Sequence, residues 1–323
     1  MKQLFLLLVS MAFFITSLCS MTLRAQTAGA CFPSVPKRLE WMRTLPDSTP
    51  VCKLSIPGTH DSGACYGGLS LQTQGTDIPA QLRQGIRAFD IRLQEKDGKL
   101  GVYHSTAFQR LYWETDVLPA FLRFLQKYPS EMLVVSLKRE GGRAEAYASL
   151  LSASLTDPVY RTYWVDSFRP GLTLGDCRGK ILFLHRDKAL ERYPGAACTG
   201  WADDATCTLV LCDKDGQEGT ALLQDEYQYA SEHEADQKIA VCIRNLDAVA
   251  AEPDVSRRWG ISFASATGLP SGTPQAFADQ VNAALAVHLK EGGGARRGIV
   301  FIDFVGQADG ARLVSLLING NLQ

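Results

Sequence analysis

Short apolar runs alternate with amphipathic segments over most of the chain. Several runs are almost uninterrupted, such as "MLVVSL", "ILFL" and "GIVFIDFV", which is typical of strands buried on both faces of a parallel sheet. The segments between them carry apolar residues at helical spacing; in one, Leu118, Phe121, Leu122 and Leu125 share a face. The pattern therefore predicts strands and helices in alternation.

We predict strands at Val51–Ile56, Ile86–Leu93, Leu100–His104, Met132–Leu137, Ile181–His185, Ile239–Ile243, Gly260–Ala264 and Gly298–Phe304. The clearest helices are predicted at Val117–Lys127, Arg143–Ser154 and Thr273–Lys290. About eight strands with interleaved helices predict an α/β fold, namely one (β/α) barrel over residues 51–323. An open doubly wound sheet is the alternative, although no GxGxxG motif follows the first strand.

The first 25 residues have the pattern of a secretory signal peptide. A charged start precedes the apolar core Leu4–Ile15, which is too short for the roughly 20 residues of a membrane-spanning helix. We therefore expect export, to a secreted, periplasmic or cell-surface location. A lipid anchor at Cys19 is the alternative, but Leu18 is a poor residue before such a site. Residues 26–50 are predicted to lead into the barrel.

Composition excludes some classes of partner. The chain has 323 residues, a formal charge of −1 and 21% charged residues, which is ordinary for a globular protein. This balance does not indicate a nucleic-acid partner. It also predicts no strong electrostatic attraction to anionic lipid surfaces.

The cysteines leave three interpretations open. Nine are present, and the eight that remain without Cys19 are an even number compatible with disulfides in an exported chain. Cys198, Cys207 and Cys212 are close enough in sequence to contribute one bridge. A zinc site is the second interpretation, although no CxxC pair supports it. Buried free thiols are the third, chiefly for residues 177 and 242.

Polar residues stand where the predicted strands end, the edge at which barrel active sites are built. The first strand is followed by His60 and Asp61, and Pro57-Gly58 is interpreted as the sharp turn that ends it. The other strand ends supply Asp90, Arg92, His104, Lys138, His185, Arg186 and Asp303. His233 and His288 fall in helical patterns and are expected to be ordinary surface or packing residues.

Two imidazoles with an arginine and carboxylates suit phosphoryl transfer between oxygen atoms. One histidine accepts a proton from the attacking hydroxyl, and the other donates one to the leaving oxygen. A cation such as Arg92 stabilises charge on the phosphoryl oxygens. Metal binding through His60 and His104 is the alternative, against which the nearby arginine argues because two cations repel.

The motifs "LSIPGTHDSG", "GIRAFDIRL", "YHS", "PSEMLVVSLKRE", "TLGDCRGKILFLHR", "LQDEYQY" and "VFIDF" resemble, in this order, the bacterial phosphatidylinositol-specific phospholipases C. The resemblance extends from Val51 to Phe304. It implies a distorted, incompletely closed TIM barrel and a secreted enzyme that needs no metal or other cofactor. It also implies cleavage of phosphatidylinositol to diacylglycerol and a cyclic inositol phosphate.

The resemblance assigns roles to nine residues. His60 is the implied general base, oriented by Asp303, and His104 is the implied general acid, paired with Asp61. Arg92 is the implied phosphate-binding cation. The implied inositol contacts are Lys138, Arg186, Asp225 and Tyr227.

The implied partners are a phosphatidylinositol or glycosylated inositol lipid substrate and, transiently, a membrane surface; the protein is expected to be a monomer. The chain departs from the family in two places. Loops 63–74 and 264–274 contain no tryptophan to insert into a membrane, and Tyr66 with residues 69–71 is a weaker substitute. Residues 198–218 match nothing in the family pattern.

Two other functions remain open from the sequence. One is a metal-dependent glycerophosphodiester phosphodiesterase or phospholipase D-like enzyme, which needs clustered carboxylates for a divalent ion. The other is a non-catalytic lipid- or glycan-binding barrel. The arginine favours the metal-independent lyase over the first, and retention of both histidines favours it over the second.

Overall fold

A computed structural model describes residues 38–254, 256–268 and 271–322. The strands in these ranges are β1 (Ser55–Thr59), β2 (Ala88–Lys96), β3 (Lys99–His104), β4 (Ala107–Tyr112), β5 (Leu133–Arg139), β6 (Ile181–His185), β7 (Ala196–Thr199), β8 (Thr206–Cys212), β9 (Glu218–Gln224), β10 (Arg258–Phe263) and β11 (Gly298–Ile302). The α-helices are α1 (Ile78–Gln84), α2 (Leu118–Lys127), α3 (Ala144–Thr156), α4 (Leu174–Cys177), α5 (Ala235–Ala251), α6 (Pro274–Glu291) and α7 (Ala308–Gly320).

The strands form a barrel, as predicted. They pair in the order β1-β11-β10-β9-β8-β7-β6-β5-β2, and β1 also pairs with β2, so this ring of the described strands is closed. The resemblance implied incomplete closure, and this expectation is wrong for the hydrogen-bonded ring. The closing pairing is nevertheless only two residue pairs long, Gly58 with Ala88 and Thr59 with Phe89. We call this β1–β2 pairing the seam.

The ring is distorted because one strand runs against the others. β8 pairs antiparallel with both β7 and β9, whereas the remaining ring pairings are parallel. The segment 198–218, which matched nothing in the family pattern, thus supplies most of this antiparallel part of the wall. β3 and β4 extend from β2 as an antiparallel hairpin beside the ring.

The first strand begins four residues and ends three residues later than predicted, and its Pro-Gly pair is not the turn. Residues Val51–Lys53 form a 3-10 turn, and Pro57 and Gly58 lie inside β1. The backbone turns instead at Asp61, whose φ is 38°. Gly58 is required for close approach at the seam: a Cβ there would lie 2.9 Å from both the Cβ of Ala88 and the Cδ1 of Phe301.

One predicted strand is wrong, and four were missed. Ile239–Ile243 lies inside α5, where Val241, Cys242, Asn245 and Val249 are buried at helical spacing. A run of five apolar residues fits a strand or a buried helix equally well, so length could not separate them. The missed strands β4, β7, β8 and β9 are short or contain threonine, glycine and glutamine, which hide their alternation.

The helix ends follow ordinary capping chemistry. The carboxylate of Asp77 accepts a hydrogen bond of 2.7 Å from the backbone nitrogen of Ala80 at the start of α1. Gly85 ends that helix in the left-handed conformation, with a φ of 101°. Thr173 and Asp176 form a capping box at the start of α4. These ends set the lengths of the connections between strands.

Residues 38–50 pack against the barrel. Trp41 is 1% exposed, and its indole nitrogen donates to the carbonyl oxygen of Gly85 over 3.0 Å. Arg178 donates to the backbone oxygens of Met42 and Leu45 and contacts the carboxylate of Asp47. The predicted signal peptide, including Cys19, lies outside the described residues. In the described part of the chain, no helix has both the length and the apolarity to cross a bilayer.

The disulfide that the sequence left open among Cys198, Cys207 and Cys212 is not formed, since all three are free thiols. In the β7–β8 register, Cys198 lies opposite Leu211 and Cys212 lies opposite Ala197. Adjacent positions on a strand point to opposite faces, so the two sulfurs are on different sides of the sheet. The expected buried thiols at residues 177 and 242 are observed.

Candidate active site

A cavity of about 320 Å³ opens at the carboxyl ends of the strands. Eight of the nine predicted site residues line it: His60, Arg92, His104, Lys138, Arg186, Asp225, Tyr227 and Asp303. The ninth, Asp61, is 0% exposed and lies behind the wall of the cavity. The structure therefore brings together, from separate strand ends, the residues that the sequence singled out.

His60 is held on both of its ring nitrogens. Its Nδ1 atom lies 2.8 Å from the Oδ1 atom of Asp303, and its Nε2 atom lies 2.7 Å from the Nη2 atom of Arg92. A guanidinium only donates, so Nε2 must accept and the proton must be on Nδ1, which donates to Asp303. Burial and the charge of Arg92 lower the pKa of His60 well below its usual value. The imidazole is therefore neutral, as a general base requires.

Arg92 is fixed by carboxylates. Its Nε atom lies 3.0 Å from Asp90, and Asp61 and Glu140 are at 3.5 and 3.8 Å from the guanidinium. Burial favours the neutral form of Arg92, but Asp90 and Asp61 outweigh it and raise its pKa. Burial likewise opposes ionisation of Asp90, yet Arg92 and Arg186 lower its pKa. Asp90, two residues before Arg92 on β2, was noted at a strand end but was given no role.

His104 lies across the cavity from His60. The two imidazole centroids are 6.2 Å apart, with the rings nearly perpendicular at 86°. The Nδ1 atom of His104 lies 2.6 Å from the carbonyl oxygen of Leu71 and 3.5 Å from the Oδ2 atom of Asp61. The closer partner is thus a backbone carbonyl that the sequence did not indicate. Burial and the charge of Arg92 lower the pKa of His104.

Asp61 is a buried carboxylate with unused hydrogen-bonding capacity. Neither of its carboxylate oxygens has a hydrogen-bond partner, and burial raises its pKa well above the usual range. Its contacts are the longer ones to Arg92 and His104, at 3.5 Å each. A buried charged or polar group without close partners is costly, and such groups concentrate at functional sites.

A second wall of the cavity combines cations, carboxylates and aromatic rings. Arg186 contacts Asp225 at 3.4 Å and lies over the ring of Trp201, 3.8 Å from its centroid. The indole nitrogen of Trp201 donates to Asp225 over 2.8 Å. The hydroxyl of Tyr227 contacts Asp203 at 3.1 Å. This wall places hydrogen-bond donors and acceptors side by side, which suits a ligand with several hydroxyl groups.

Lys138 completes that wall, with its Nζ atom 3.5 Å from Glu140. Trp201 and Asp203 were missed by sequence reasoning. Both come within a few residues of the end of β7, so the strand-end rule would have indicated them had that four-residue strand been recognised. Glu140 comes directly after β5 and could have been found by the same rule.

His185 stands at a strand end but is not part of the site. It is 1% exposed, and its Nε2 atom donates to the carbonyl oxygen of Pro194 over 2.8 Å. Burial lowers its pKa to about 4. His185 therefore belongs to the packing between β6 and the next segment of the chain.

Within the described ranges, no group of three or more histidine, cysteine, aspartate or glutamate residues is arranged to hold a metal ion. Three of the carboxylates near the histidines, those of Asp61, Asp90 and Glu140, surround Arg92 instead. The guanidinium thus occupies the place that a bound cation would take among those oxygens.

The fold is that of known lipid-cleaving barrels. A crystal structure of the phosphatidylinositol-specific phospholipase C of Staphylococcus aureus superposes with a TM-score of 0.76, at 22% identity, over 87% of this chain and 98% of that one. The phosphatidylinositol-specific phospholipase C of Listeria monocytogenes gives a TM-score of 0.68, at 24% identity, over 88% and 98%.

The sequence comparisons agree with the fold. Residues 48–187 match the family model described as phosphatidylinositol-specific phospholipase C, X domain. The 1-phosphatidylinositol phosphodiesterase of Listeria monocytogenes is 34% identical over 155 residues, which are 45% of this chain and 48% of that relative. The Staphylococcus aureus enzyme of the same name is 26% identical over 82% of this chain and 88% of its own length.

The matched part of this chain thus spans about half the length of the Listeria relative. Over residues 48–187 the chain is similar to the phosphatidylinositol-specific phospholipase C family, and its fold is similar to that of the bacterial enzymes of that name.

Proposed function

We propose that this protein cleaves phosphatidylinositol to diacylglycerol and inositol 1,2-cyclic phosphate by general acid/base catalysis without a metal ion. The observation that carries the proposal is the arrangement around one cavity: a neutral His60 on one side, His104 on the other, and Arg92 between carboxylates beside them. The relatives named 1-phosphatidylinositol phosphodiesterase support the substrate class.

His60 acts as the base in this mechanism. Its Nε2 atom accepts the proton of the inositol 2-hydroxyl, while Asp303 stabilises the imidazolium through Nδ1. The resulting oxygen attacks the phosphorus of the same molecule, so the step is effectively unimolecular. Because Arg92 donates to Nε2 in this structure, the substrate must first draw the guanidinium to its phosphoryl oxygens.

His104 acts as the acid. With Nδ1 directed to Leu71 and Asp61, its Nε2 atom is the nitrogen that delivers a proton to the departing glycerol oxygen as the P–O bond breaks. The bond formed to O2 and the bond broken to diacylglycerol leave a five-membered cyclic phosphodiester. Arg92 stabilises the negative charge on its two non-bridging oxygens.

The second wall is proposed to bind the inositol ring. Arg186 and Lys138 donate to ring hydroxyls, Asp225 accepts from them, and Tyr227 packs beside the ring. The same contacts are available to the inositol of a glycosylated lipid, provided that the glycan extends out of the cavity mouth.

Membrane contact, oligomeric state and export are also part of the proposed function. Tyr66 and Leu69, which are 45% and 75% exposed, lie in the loop beside the cavity and are proposed to make a transient contact with the membrane surface. We propose that the enzyme is a monomer exported by its predicted signal peptide. We propose that residues 1–25 are the signal peptide, residues 26–50 the lead-in segment and residues 51–323 the barrel.

Phosphorus NMR of phosphatidylinositol in detergent micelles tests the reaction. The expected first product is the cyclic inositol phosphate, formed at equal rate with and without a chelator of divalent ions. An acyclic phosphate from the outset, with solvent oxygen at phosphorus, would show direct hydrolysis. Loss of activity in chelator and its return with a divalent ion would favour the metal-dependent phosphodiesterase.

A further inference from the structure

The segment 71–74 comes after the exposed part of the 63–74 loop and runs beside both histidines. No motif in the sequence pointed to it. We call residues 71–74 the strap. Its residues Thr73 and Gln74 are both 0% exposed, although both side chains are polar. Polar side chains that are buried so completely are expected to hold specific partners.

Gln74 joins the two strands that carry the base and its carboxylate. Its Nε2 atom donates to the carbonyl oxygen of His60 over 3.0 Å and to that of Ile302 over 2.9 Å. Its Oε1 atom accepts from the backbone nitrogen of Val305 over 3.4 Å. Ile302 and Val305 flank the segment of Asp303, so one side chain fixes the backbone on both sides of the His60–Asp303 hydrogen bond.

Thr73 reinforces the same connection. Its hydroxyl donates to the carbonyl oxygen of Asp61 over 3.1 Å, which holds the turn where φ is 38°. Its own carbonyl oxygen accepts from the backbone nitrogen of Phe304 over 2.8 Å. The turn after β1 and the turn after β11 are thereby tied through two consecutive residues.

The other end of the strap reaches the opposite histidine. The carbonyl oxygen of Leu71 lies 2.6 Å from the Nδ1 atom of His104. It therefore fixes which nitrogen of that ring carries the proton and leaves Nε2 toward the cavity. Leu71 and Gln74 lie only three positions apart in the chain, so a shift of the strap would displace both imidazoles together.

We propose that the strap positions both histidines, and that Gln74 is the positioning residue for the base. The expected effect of Gln74 on catalysis rests on the proposed function. The geometric content of the inference, that Gln74 holds His60 against Asp303 and is coupled to His104, does not depend on which reaction the site performs.

Gln109 provides a matched control. It is also 0% exposed, and its amide nitrogen donates to the carbonyl oxygens of Tyr66 and Ala107, each over 3.0 Å. Its amide oxygen accepts from the backbone nitrogen of Tyr66 over 2.8 Å. Gln109 thus makes the same three kinds of bond as Gln74 and ties down the same loop, but contacts neither histidine.

The test compares Gln74→Met with Gln109→Met. Both should lower the melting temperature by similar amounts, because each loses three buried hydrogen bonds. Only Gln74→Met should lower kcat, by about 10-fold or more with KM changed less than about 3-fold, since a misplacement of about 1 Å can cost about 10²-fold. Should Gln74→Met not fold, Thr73→Val removes the hydroxyl contact with smaller disturbance and is expected to act in the same direction.

NMR of protein labelled with ¹⁵N-histidine tests the positioning role of Gln74 separately from the proposed enzymatic function, because it needs no turnover. In Gln74→Met, the resonances of both His60 and His104 should shift, because each ring would lose its fixed hydrogen-bond geometry, whereas Gln109→Met should leave both unchanged. Wild-type kcat and unchanged histidine spectra in Gln74→Met would overturn the inference. An equal loss of kcat in Gln109→Met, or a His104 signal that does not move in Gln74→Met, would overturn it too.

Discussion

The guanidinium of Arg92 lies 2.7 Å from the Nε2 atom of His60, the nitrogen that accepts a proton in the proposed mechanism. This contact fixes the tautomer of the base and blocks it at the same time. A phosphodiester that draws Arg92 to its own oxygens would free Nε2 at the moment when the attacking hydroxyl arrives. The arginine thus links substrate phosphate binding to exposure of the base.

Arg92→Lys should lower the rate by about 10² or more, because lysine keeps the charge but loses the planar fork that donates two hydrogen bonds. The melting temperature should change little by comparison. Steady-state kinetics and thermal unfolding on the same preparations check this. If Arg92 only pairs with Asp90 and Asp61 to hold the strand ends, stability would fall more than rate.

The two histidines should differ in their response to the leaving group. His60→Ala and His104→Ala are each expected to cost at least about 10² in rate on phosphatidylinositol. An aryl inositol phosphate, whose leaving oxygen needs no protonation, should restore much of the rate in His104→Ala and none in His60→Ala. Equal recovery in both variants would contradict the assignment of base and acid.

The pH dependence of kcat/KM should be displaced to the acidic side. His60 must be neutral and His104 protonated in the free enzyme, and burial together with Arg92 lowers the pKa of both. The acid limb, set by His60, and the alkaline limb, set by His104, should therefore both lie below the ordinary histidine value of about 6.5. A rate profile with its maximum above pH 7 would argue against these two roles.

His185 should make the fold sensitive to acid although it does not line the cavity. In the unfolded chain it binds a proton near pH 6.5, but in the folded protein only near pH 4. Between these values the unfolded state binds more protons, so stability falls as pH decreases, by up to ~3 kcal/mol when the loss is complete below about pH 4.

The comparison variant is His185→Gln, whose amide nitrogen keeps a donor for the carbonyl oxygen of Pro194. Urea unfolding at several pH values should show wild type losing stability relative to this variant from pH 6.5 to 4. A difference between the two proteins that does not change with pH would rule out His185 as the titrating group.

Periodicity and strand ends were the sequence features with the most predictive value. Continuous apolar runs located β5, β6 and β11, and the polar residues at the ends of the predicted strands indicated His60, Arg92, His104 and Asp303. The sequence could not predict the partner of His104, because the carbonyl of Leu71 reaches that ring only through the path of a loop. Every residue has a backbone oxygen, so the residue type at position 71 gives no indication that its oxygen binds a histidine.

The same limit applies to longer-range packing. Ile239–Ile243 was predicted as a strand because apolar content alone does not tell a strand from a buried helix. Trp201 was missed because β7 has only four residues, too few to establish a period. In both cases the secondary structure is determined by contacts with residues that are distant in sequence.

The seam divides the proposed catalytic groups into two sets. His60 comes after β1 and Asp303 after β11, and these two strands pair with each other over five residue pairs. Arg92 and His104 belong to β2 and β3, which join the first set at the seam through only two pairs. Transient opening of the ring at this place would separate base from acid while each half stayed intact. The proposed catalytic arrangement is thus tied to one of the two shortest strand pairings in the described ring, and inactivation can precede global denaturation.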